Sequence, residues 1–225
     1  LAAILTGLTG AVGASDWTAP EIAACRQSFL DGMDMPAVDG LSAAVVVKEA
    51  VAAFAGKPRL AVDAGAHMFS ACAFWEASHP LDVLISNGLA SMGFALPAAV
   101  AAALHDPARG AVAMTGDGGL LMCLGELKTA AEMDAKLTVI VFNDSRLSLI
   151  DIKREQRQMT DLGLAWRTPD FATVAEGFGF KTWRAETGEE MRAAANAAAA
   201  AGGPCMIDAR VDPSGYLPQL RALRG

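Results

Sequence analysis

Cysteine is scarce in this chain: Cys25, Cys72, Cys123 and Cys205 are the only four in 225 residues, and no two form a C-x-x-C pair. Neither a zinc cluster nor a disulfide framework is indicated, and each cysteine is expected to be a small buried hydrophobe in a reducing, cytoplasmic setting. Basic residues are also few. Eighteen Lys and Arg against 25 Asp and Glu leave a net charge of −7, with no basic stripe, so nucleic acid is not an expected partner. Long apolar runs are missing as well: no stretch of 18 residues is free of charges and turn formers, and no membrane span is expected. The opening LAAILTGLTGAVGASDW has the apolar run of a secretory signal but neither a basic leader nor an initiator Met. It reads as the tail of something cut.

What is present is enough to build a full core. Hydrophobic residues make up 53% of the chain, which suits one α/β domain with something attached. The organising stretch runs from Met114 to Ile150. A strand-like run, Ala111 to Thr115, empties into Gly116-Asp117-Gly118-Gly119; a helical segment follows from Leu120 to Met133; a second strand-like run, Leu137 to Phe142, empties into Asn143-Asp144. Two parallel strands joined by a helix bring their carboxyl ends to one sheet edge, with neighbouring strands about 4.8 Å apart. Asp117 and Asp144 can therefore face one ion. Such a pair suits Mg²⁺, which takes one or two carboxylates and completes its octahedron with phosphate, carbonyl and water oxygens. The glycines let a diphosphate approach the main chain at a helix start.

A Gly-Asp-Gly alone is weak, because it also occurs in turns, in phosphatases of the haloacid dehalogenase type and in lipid and nucleotide kinases. The phosphatase reading needs an upstream Asp-x-Asp that Asp63-Ala64-Gly65 does not supply. A dinucleotide fingerprint needs a third glycine where Leu121 stands.

In chain order, Leu1 to Leu8 looks like a helix end, Pro20 sits in the first turn of a helix running through Glu21 to Met33, and residues 31–40 form a linker. A helix from Leu41 to Ala55 is stopped by Gly56 and Pro58. The strand Arg59 to Asp63 ends in Ala64-Gly65-Ala66-His67, small residues where open α/β sheets bind ligands. A helix over Met68 to Ala77 and a strand over Val83 to Ile85 lead into a Gly-rich turn, Ser86 to Ala99. Later come a helix through Ser148 to Glu155, a polar and mobile loop from Gln158 to Thr168, a helix from Phe171 to Phe178, and a strand from Lys181 to Arg184. An Ala-rich helix from Glu189 to Ala201 and a last strand from Pro204 to Val211 close the chain. The alternation predicts an α/β fold: a doubly wound, mostly parallel sheet with helices on both faces. His79 and His105 are expected to be structural, and the KREQR cluster at 153–157 to be a solvated helix face.

Two motifs carry a family resemblance. Gly116-Asp117-Gly118, 24 residues (119–142), then Asn143-Asp144 resembles the signature of thiamine-diphosphate-dependent enzymes. Gly88-Leu89-Ala90-Ser91-Met92-Gly93-Phe94-Ala95-Leu96-Pro97-Ala98-Ala99 resembles the same family's G-x-M-G-x-x-L-P-A-A turn, in its acetolactate-synthase-like branch. The resemblance implies the thiamine diphosphate-binding fold, with thiamine diphosphate and Mg²⁺ as cofactors. By position, the metal ligands are Asp117, Asp144 and the carbonyl of Arg146. The carbonyl of Ala90 accepts from the 4′-amino group of the aminopyrimidine. Met92 is implied as the catalytic residue, a bulky side chain that keeps the cofactor bent with its amino group against thiazolium C2.

Cofactor contacts are implied for Ala64, Gly65, His67, Ala90, Ser91, Met92, Gly116, Asp117, Gly118 and Gly119, then Asp144, Arg146, Leu147, Ser148 and Leu149, with His67 donating to a phosphate oxygen. Residues 1–40 resemble the end of a preceding middle domain plus its linker, and 41–225 the diphosphate-binding catalytic domain. The implied function is decarboxylation of a small 2-oxo acid with carboligation. Plain decarboxylation, cleavage of a 2-hydroxy ketone and a non-catalytic phosphate-binding module stand as alternatives. The activating Glu belongs to a pyrimidine-binding domain not recognisable here, so the implied partners are that domain and a second copy in a homodimer or homotetramer. Asp144 replaces the usual Asn, and Ser148, Leu149 and Lys153 depart from the acetolactate synthase pattern, which leaves the substrate open.

Overall fold

The computed structural model describes every residue except 1, 10–12, 14, 56, 162 and 225. The described elements in order are α1 (Ala2–Thr9), α2 (Ala19–Met33), α3 (Ala43–Phe54), β1 (Arg59–Val62), α4 (His67–Phe74), β2 (Val83–Ile85), α5 (Ala95–His105) and β3 (Ala111–Gly116). They continue with α6 (Asp117–Met122), α7 (Glu126–Glu132), β4 (Leu137–Asn143), α8 (Ser148–Gln156), α9 (Phe171–Gly177), β5 (Lys181–Ala185), α10 (Gly188–Ala201), β6 (Cys205–Arg210), a 3-10 turn at Pro213–Gly215, and α11 (Tyr216–Arg224).

The six strands form one sheet in the order β2-β1-β3-β4-β6-β5, and every pairing is parallel. Near-continuous apolar runs explain the centre. All seven residues of β4 are buried, as a strand covered on both faces requires. The period-two alternation then sorts side chains into two cores. Leu60, Val62, Val112, Met114, Ile140, Phe142 and Ile207 meet α3, α4 and α10 on one face. Ala61, Ala113, Val139, Val141 and Met206 meet α5, α7 and α9 on the other. Each well-buried Leu, Val or Ile contributes roughly 1.5–3 kcal/mol of transfer free energy.

The doubly wound sheet is as expected, with differences at the element ends. The helix expected over 120–133 is two helices, because Cys123–Gly125 turns between α6 and α7 through i to i+3 bonds such as Glu126 N to Cys123 O at 2.9 Å. α6 starts at Asp117 itself, so the Gly-Asp-Gly-Gly run is a first helical turn rather than a loop before one. α5 starts at Ala95, which places Pro97 in the first turn, where no intrahelical N–H bond is lost. Gly56 lies outside the described residues, and α3 ends at Ala55 in a left-handed conformation, φ 50°. Of the cysteines, only Cys205 is buried; Cys25 and Cys72 are exposed because they lie on outward faces of α2 and α4. No helix among the described residues is long and apolar enough to cross a membrane.

α2 begins with a capping box, Thr18 and Glu21 bonding each other's backbone amides. It packs on α4 and α11, yet Met33 is its one buried residue. Both sheet cores are built from residues beyond Met33.

Candidate active site

β1 connects to β2 on one side while β3 lies on the other, so the topological switch point falls between β1 and β3. Ligands of open α/β sheets bind in the crevice at such a point. A cavity of about 240 Å³ lies there, walled by the carboxyl ends of β1, β3 and β4, the start of α8 and Tyr216 of α11.

The cavity is shaped by a residue the sequence presents only as a strand end. Asp63 is fully buried and accepts four hydrogen bonds: from the amides of Gly93 (3.0 Å), Phe94 (2.7 Å) and Ala95 (2.8 Å), and from Thr115 Oγ1 (2.7 Å). One carboxylate thus ties the Gly-rich turn to β1 and β3, at the start of an 11-residue helix whose dipole favours it. Gly119 is demanded by the same contact, since a Cβ there would stand 2.2 Å from Asp63 Oδ2. Ala90 lies in that turn at φ 50°, a left-handed conformation costing an alanine roughly 1–2 kcal/mol, and its amide donates to Ser86 O at 2.9 Å. Ser91 does not line the cavity. Its amide and hydroxyl both bond Ser86 Oγ, at 3.1 and 3.3 Å, and so close the turn.

Asp117 and Asp144 share one wall, as the strand register requires, because Gly116 pairs with Phe142. Asp117 Oδ1 accepts from the Gly118 amide at 2.8 Å, while Oδ2 is buried with no partner among the described residues. Burial first, and then the charge of Asp144, push its pKa up to about 7, against the pull of the Gly118 and Ser145 amides. Burial also pushes Asp144 up to about 6, opposed by bonds from Ser148 Oγ (2.6 Å) and the Arg146 amide (3.2 Å). Burial raises both carboxylates, and for Asp117 the like charge of Asp144 adds to it. No group of three or more His, Cys, Asp and Glu suited to a metal occurs among the described residues.

The Arg146 carbonyl is compatible with its expected role as a metal ligand. An antiparallel bridge pairs Arg146 with Ala165, and its bonds, Leu147 N to Leu164 O (2.9 Å) and Trp166 N to Ser145 O (3.0 Å), pass on either side of it. The carbonyl is left without a main-chain donor, and the guanidinium is occupied by Asp151 at 3.1 Å. The expected mobile loop at 158–168 therefore brackets the second acidic loop. A buried chain reinforces it: Asn143 Nδ2 donates to Asp208 (2.8 Å), Thr168 Oγ1 donates to Asn143 Oδ1 (3.1 Å), and Arg210 reaches both Asp208 (2.8 Å) and Thr168 (3.3 Å).

His67, 4% exposed, stacks on Phe142 at 5.2 Å. Burial lowers its pKa to about 4, against the charge of Asp63 and the carbonyl of Met114, so the ring is neutral. With the ring's N–H turned to the Met114 carbonyl, Nε2, which has no partner among the described residues, is left as an acceptor, so the expected donation to a phosphate oxygen would require a protonated ring. Gly65 makes room for it, because a Cβ there would lie 2.6 Å from the ring. Met92 Cε, Leu147 Cδ2 and Trp166 Cη2 converge on Gly118, whose Cβ would stand 3.4, 2.7 and 3.3 Å from them. Ala64, Gly65, His67, Ala90, Met92, Gly116, Asp117, Gly118, Gly119, Asp144, Arg146, Leu147, Ser148 and Leu149 all line the cavity as expected.

Sequence reasoning missed Ala66, Phe142, Ile150, Lys153 and Tyr216 in the wall. Of the KREQR cluster, Lys153 alone reaches the cavity, while Arg154 is held by Asp151 at 2.7 Å. Tyr216 follows the carboxyl end of β6, a position that could have flagged it.

Fold and site together define a doubly wound domain that binds its ligand over an acidic pair at the switch point. The sequence profile described as thiamine pyrophosphate enzyme, C-terminal TPP binding domain, matches residues 63–209, and the chain belongs to that family. It is 30% identical over 192 residues to acetolactate synthase of Bacillus subtilis (strain 168), covering 84% of this chain and 34% of the relative. A probable chloroplastic acetolactate synthase 2 of Oryza sativa subsp. japonica is 34% identical over 164 residues, 68% of this chain and 25% of the relative. The chain thus spans about a third or less of the length of these curated relatives. Among solved structures, the thiamine diphosphate-dependent 4-hydroxybenzoylformate decarboxylase of Rhodococcus jostii RHA1 shares the fold, with TM-score 0.73 at 23% identity, over 79% of this chain and 34% of that one.

Proposed function

We propose that this chain supplies the diphosphate and Mg²⁺ half of a thiamine-diphosphate site that decarboxylates a small 2-oxo acid and joins the product to a second carbonyl, as acetolactate synthases do by name. The observation that carries it is the acid pair: Asp117 Oδ2 is buried and unpartnered opposite Asp144, both with raised pKa values, beside the unengaged Arg146 carbonyl. These three groups would hold Mg²⁺. When bound, the cofactor supplies a carbon nucleophile and an electron sink for the CO₂-releasing step.

The chain's own residues bind and orient. Gly116, Gly118 and Gly119 keep side chains out of the diphosphate's path, and Ala64 and Gly65 do so from β1. The neutral His67 offers Nε2 without adding charge. Met92, with Leu147 beside it, forms an apolar support for a bent cofactor, and the strained Ala90 presents its carbonyl from the same turn. Leu149, Ile150 and Lys153 on α8 form the wall left for substrate.

The test is calorimetric titration of thiamine diphosphate with Mg²⁺ into the chain and an Asp117→Ala variant. Saturable, Mg²⁺-dependent heat is expected for the native chain. The variant should lose affinity by about 100-fold or more, since even a group one shell removed from a metal is worth about 10–100-fold. Absence of Mg²⁺-dependent heat in the native chain would leave a non-catalytic module as the better reading.

A further inference from the structure

Tyr216 is the one tyrosine of the sequence and stands far along the chain from both motifs. It is 2% exposed, yet it lines the cavity with Asp117, Asp144 and His67. Its hydroxyl has no hydrogen-bond partner among the described residues. The hydroxyl is not one of the fully enclosed unpartnered atoms, so it opens onto the cavity its residue lines, a donor left for something the cavity takes in.

The residue is placed by contacts on both sides of it. Asp212 caps the turn before it, accepting from Ser214 N (2.9 Å), and also accepts from the amides of Val38 (2.8 Å) and Asp39 (3.0 Å). One turn after it, Gln219 Nε2 donates to Met33 O (2.7 Å) and Ser70 Oγ (2.9 Å), and Leu220 is buried. The helix therefore cannot swing away without breaking bonds to two other parts of the chain.

Resting on the function proposed above, we infer that Tyr216 is a further binding residue of the site, its phenolic O–H donating to an oxygen of the diphosphate. The partner follows by exclusion within the wall. Neither Asp117 nor Asp144 accepts from the hydroxyl, and both are the natural ligands of a cation. With those two and the Arg146 carbonyl on the cation, the oxygens of a diphosphate bound to it are the most strongly charged acceptors brought into this wall. A phenol keeps its proton at neutral pH, so the hydroxyl is a donor. A neutral donor also suits a wall in which His67 is neutral and the Arg146 guanidinium is already engaged.

A single tyrosine makes the test direct. Chain labelled with ¹³C at tyrosine Cζ gives one resonance, followed during addition of Mg²⁺ alone, Mg²⁺ with thiamine, Mg²⁺ with pyrophosphate and Mg²⁺ with thiamine diphosphate. It is expected to move with the two diphosphate ligands and to stay with the other two. In calorimetry, Tyr216→Phe, which keeps the ring and removes the hydroxyl, should weaken Mg²⁺-dependent pyrophosphate binding about ten-fold or more, the loss of one bond to a charged acceptor. A full shift with Mg²⁺ or thiamine alone, or a Tyr216→Phe variant that binds like the native chain, would overturn this inference and leave the metal site standing. A native chain that binds neither diphosphate ligand would remove both.

Discussion

Asp117 and Asp144 set the protein's response to pH at the scale of single residues. Their folded pKa values of about 7 and about 6 both lie above the ordinary 3.8, so the folded state without a cation holds protons more tightly than the unfolded chain. Their contribution to stability is therefore fully present below pH 3.8 and is lost as pH rises through about 6 to 7. His67 has the opposite sign: with its pKa lowered from 6.5 to about 4, stability is lost as pH falls through that window. The carboxylate effect is thus cleanest between pH 6 and pH 8. With chelator present, the melting temperature should fall over that range by an amount equivalent to about 1–3 kcal/mol. Saturating Mg²⁺ should shrink the fall, because it binds only the deprotonated pair. Equal Mg²⁺ stabilisation at the two pH values would count against the pair as ligands.

Elements are joined to one another here by buried carboxylates more than by the loops that connect them. Asp63 fastens β1, β3 and the start of α5, and Asp208 links β6 to β4 and, through Arg210, to the bracket at 164–168. The prediction at this scale concerns α6 and its neighbour. Gly119→Ala would drive a methyl to 2.2 Å from Asp63 Oδ2, so α6 or the Gly-rich turn has to shift. A loss of about 2–4 kcal/mol is expected by chemical denaturation, with weaker cofactor binding as the turn moves. Gly125→Ala is the control. Nothing lies within 4 Å of its Cβ, and φ is −59°, so the change should be neutral or stabilising by up to about 1 kcal/mol. Equal loss in both variants would mean that Asp63 is not what restrains Gly119.

At the scale of the whole molecule, the function proposed above needs a second domain to complete the site. Leu89, which precedes the cavity-lining Ala90, is 90% exposed, and Met122, at the end of α6, is 64% exposed. Under the proposed function, the activating Glu would come from a pyrimidine-binding domain, in the same longer polypeptide or a partner subunit. The chain alone is expected to give no turnover of pyruvate. Activity should return when a pyrimidine-binding domain carrying that Glu is supplied, with acetolactate as product if the site ligates and acetaldehyde if it only decarboxylates. Measured turnover by the chain alone would overturn the need for the partner group.

What the sequence determined by itself was whatever depends on spacing along a few neighbouring elements. Buried strands read as apolar runs, a strand followed by a helix fixes which end of the sheet the loops share, and so Gly116 to Gly119, Asn143-Asp144 and the Gly-rich turn could be assigned to one edge before any coordinates. Element ends were less legible, because a turn such as Cys123–Gly125 depends on packing that composition does not announce. Only the tertiary structure decided which distant residues complete the site. Asp63 looked like the end of a strand until four donors were seen converging on it. Ser91 bonds Ser86 and stands outside the cavity wall, and Tyr216 joins that wall only through the placement of α11. The reason is physical: backbone geometry repeats every two residues or every 3.6 and is written locally. A side chain's burial, partners and proton affinity are set by residues tens to hundreds of positions away.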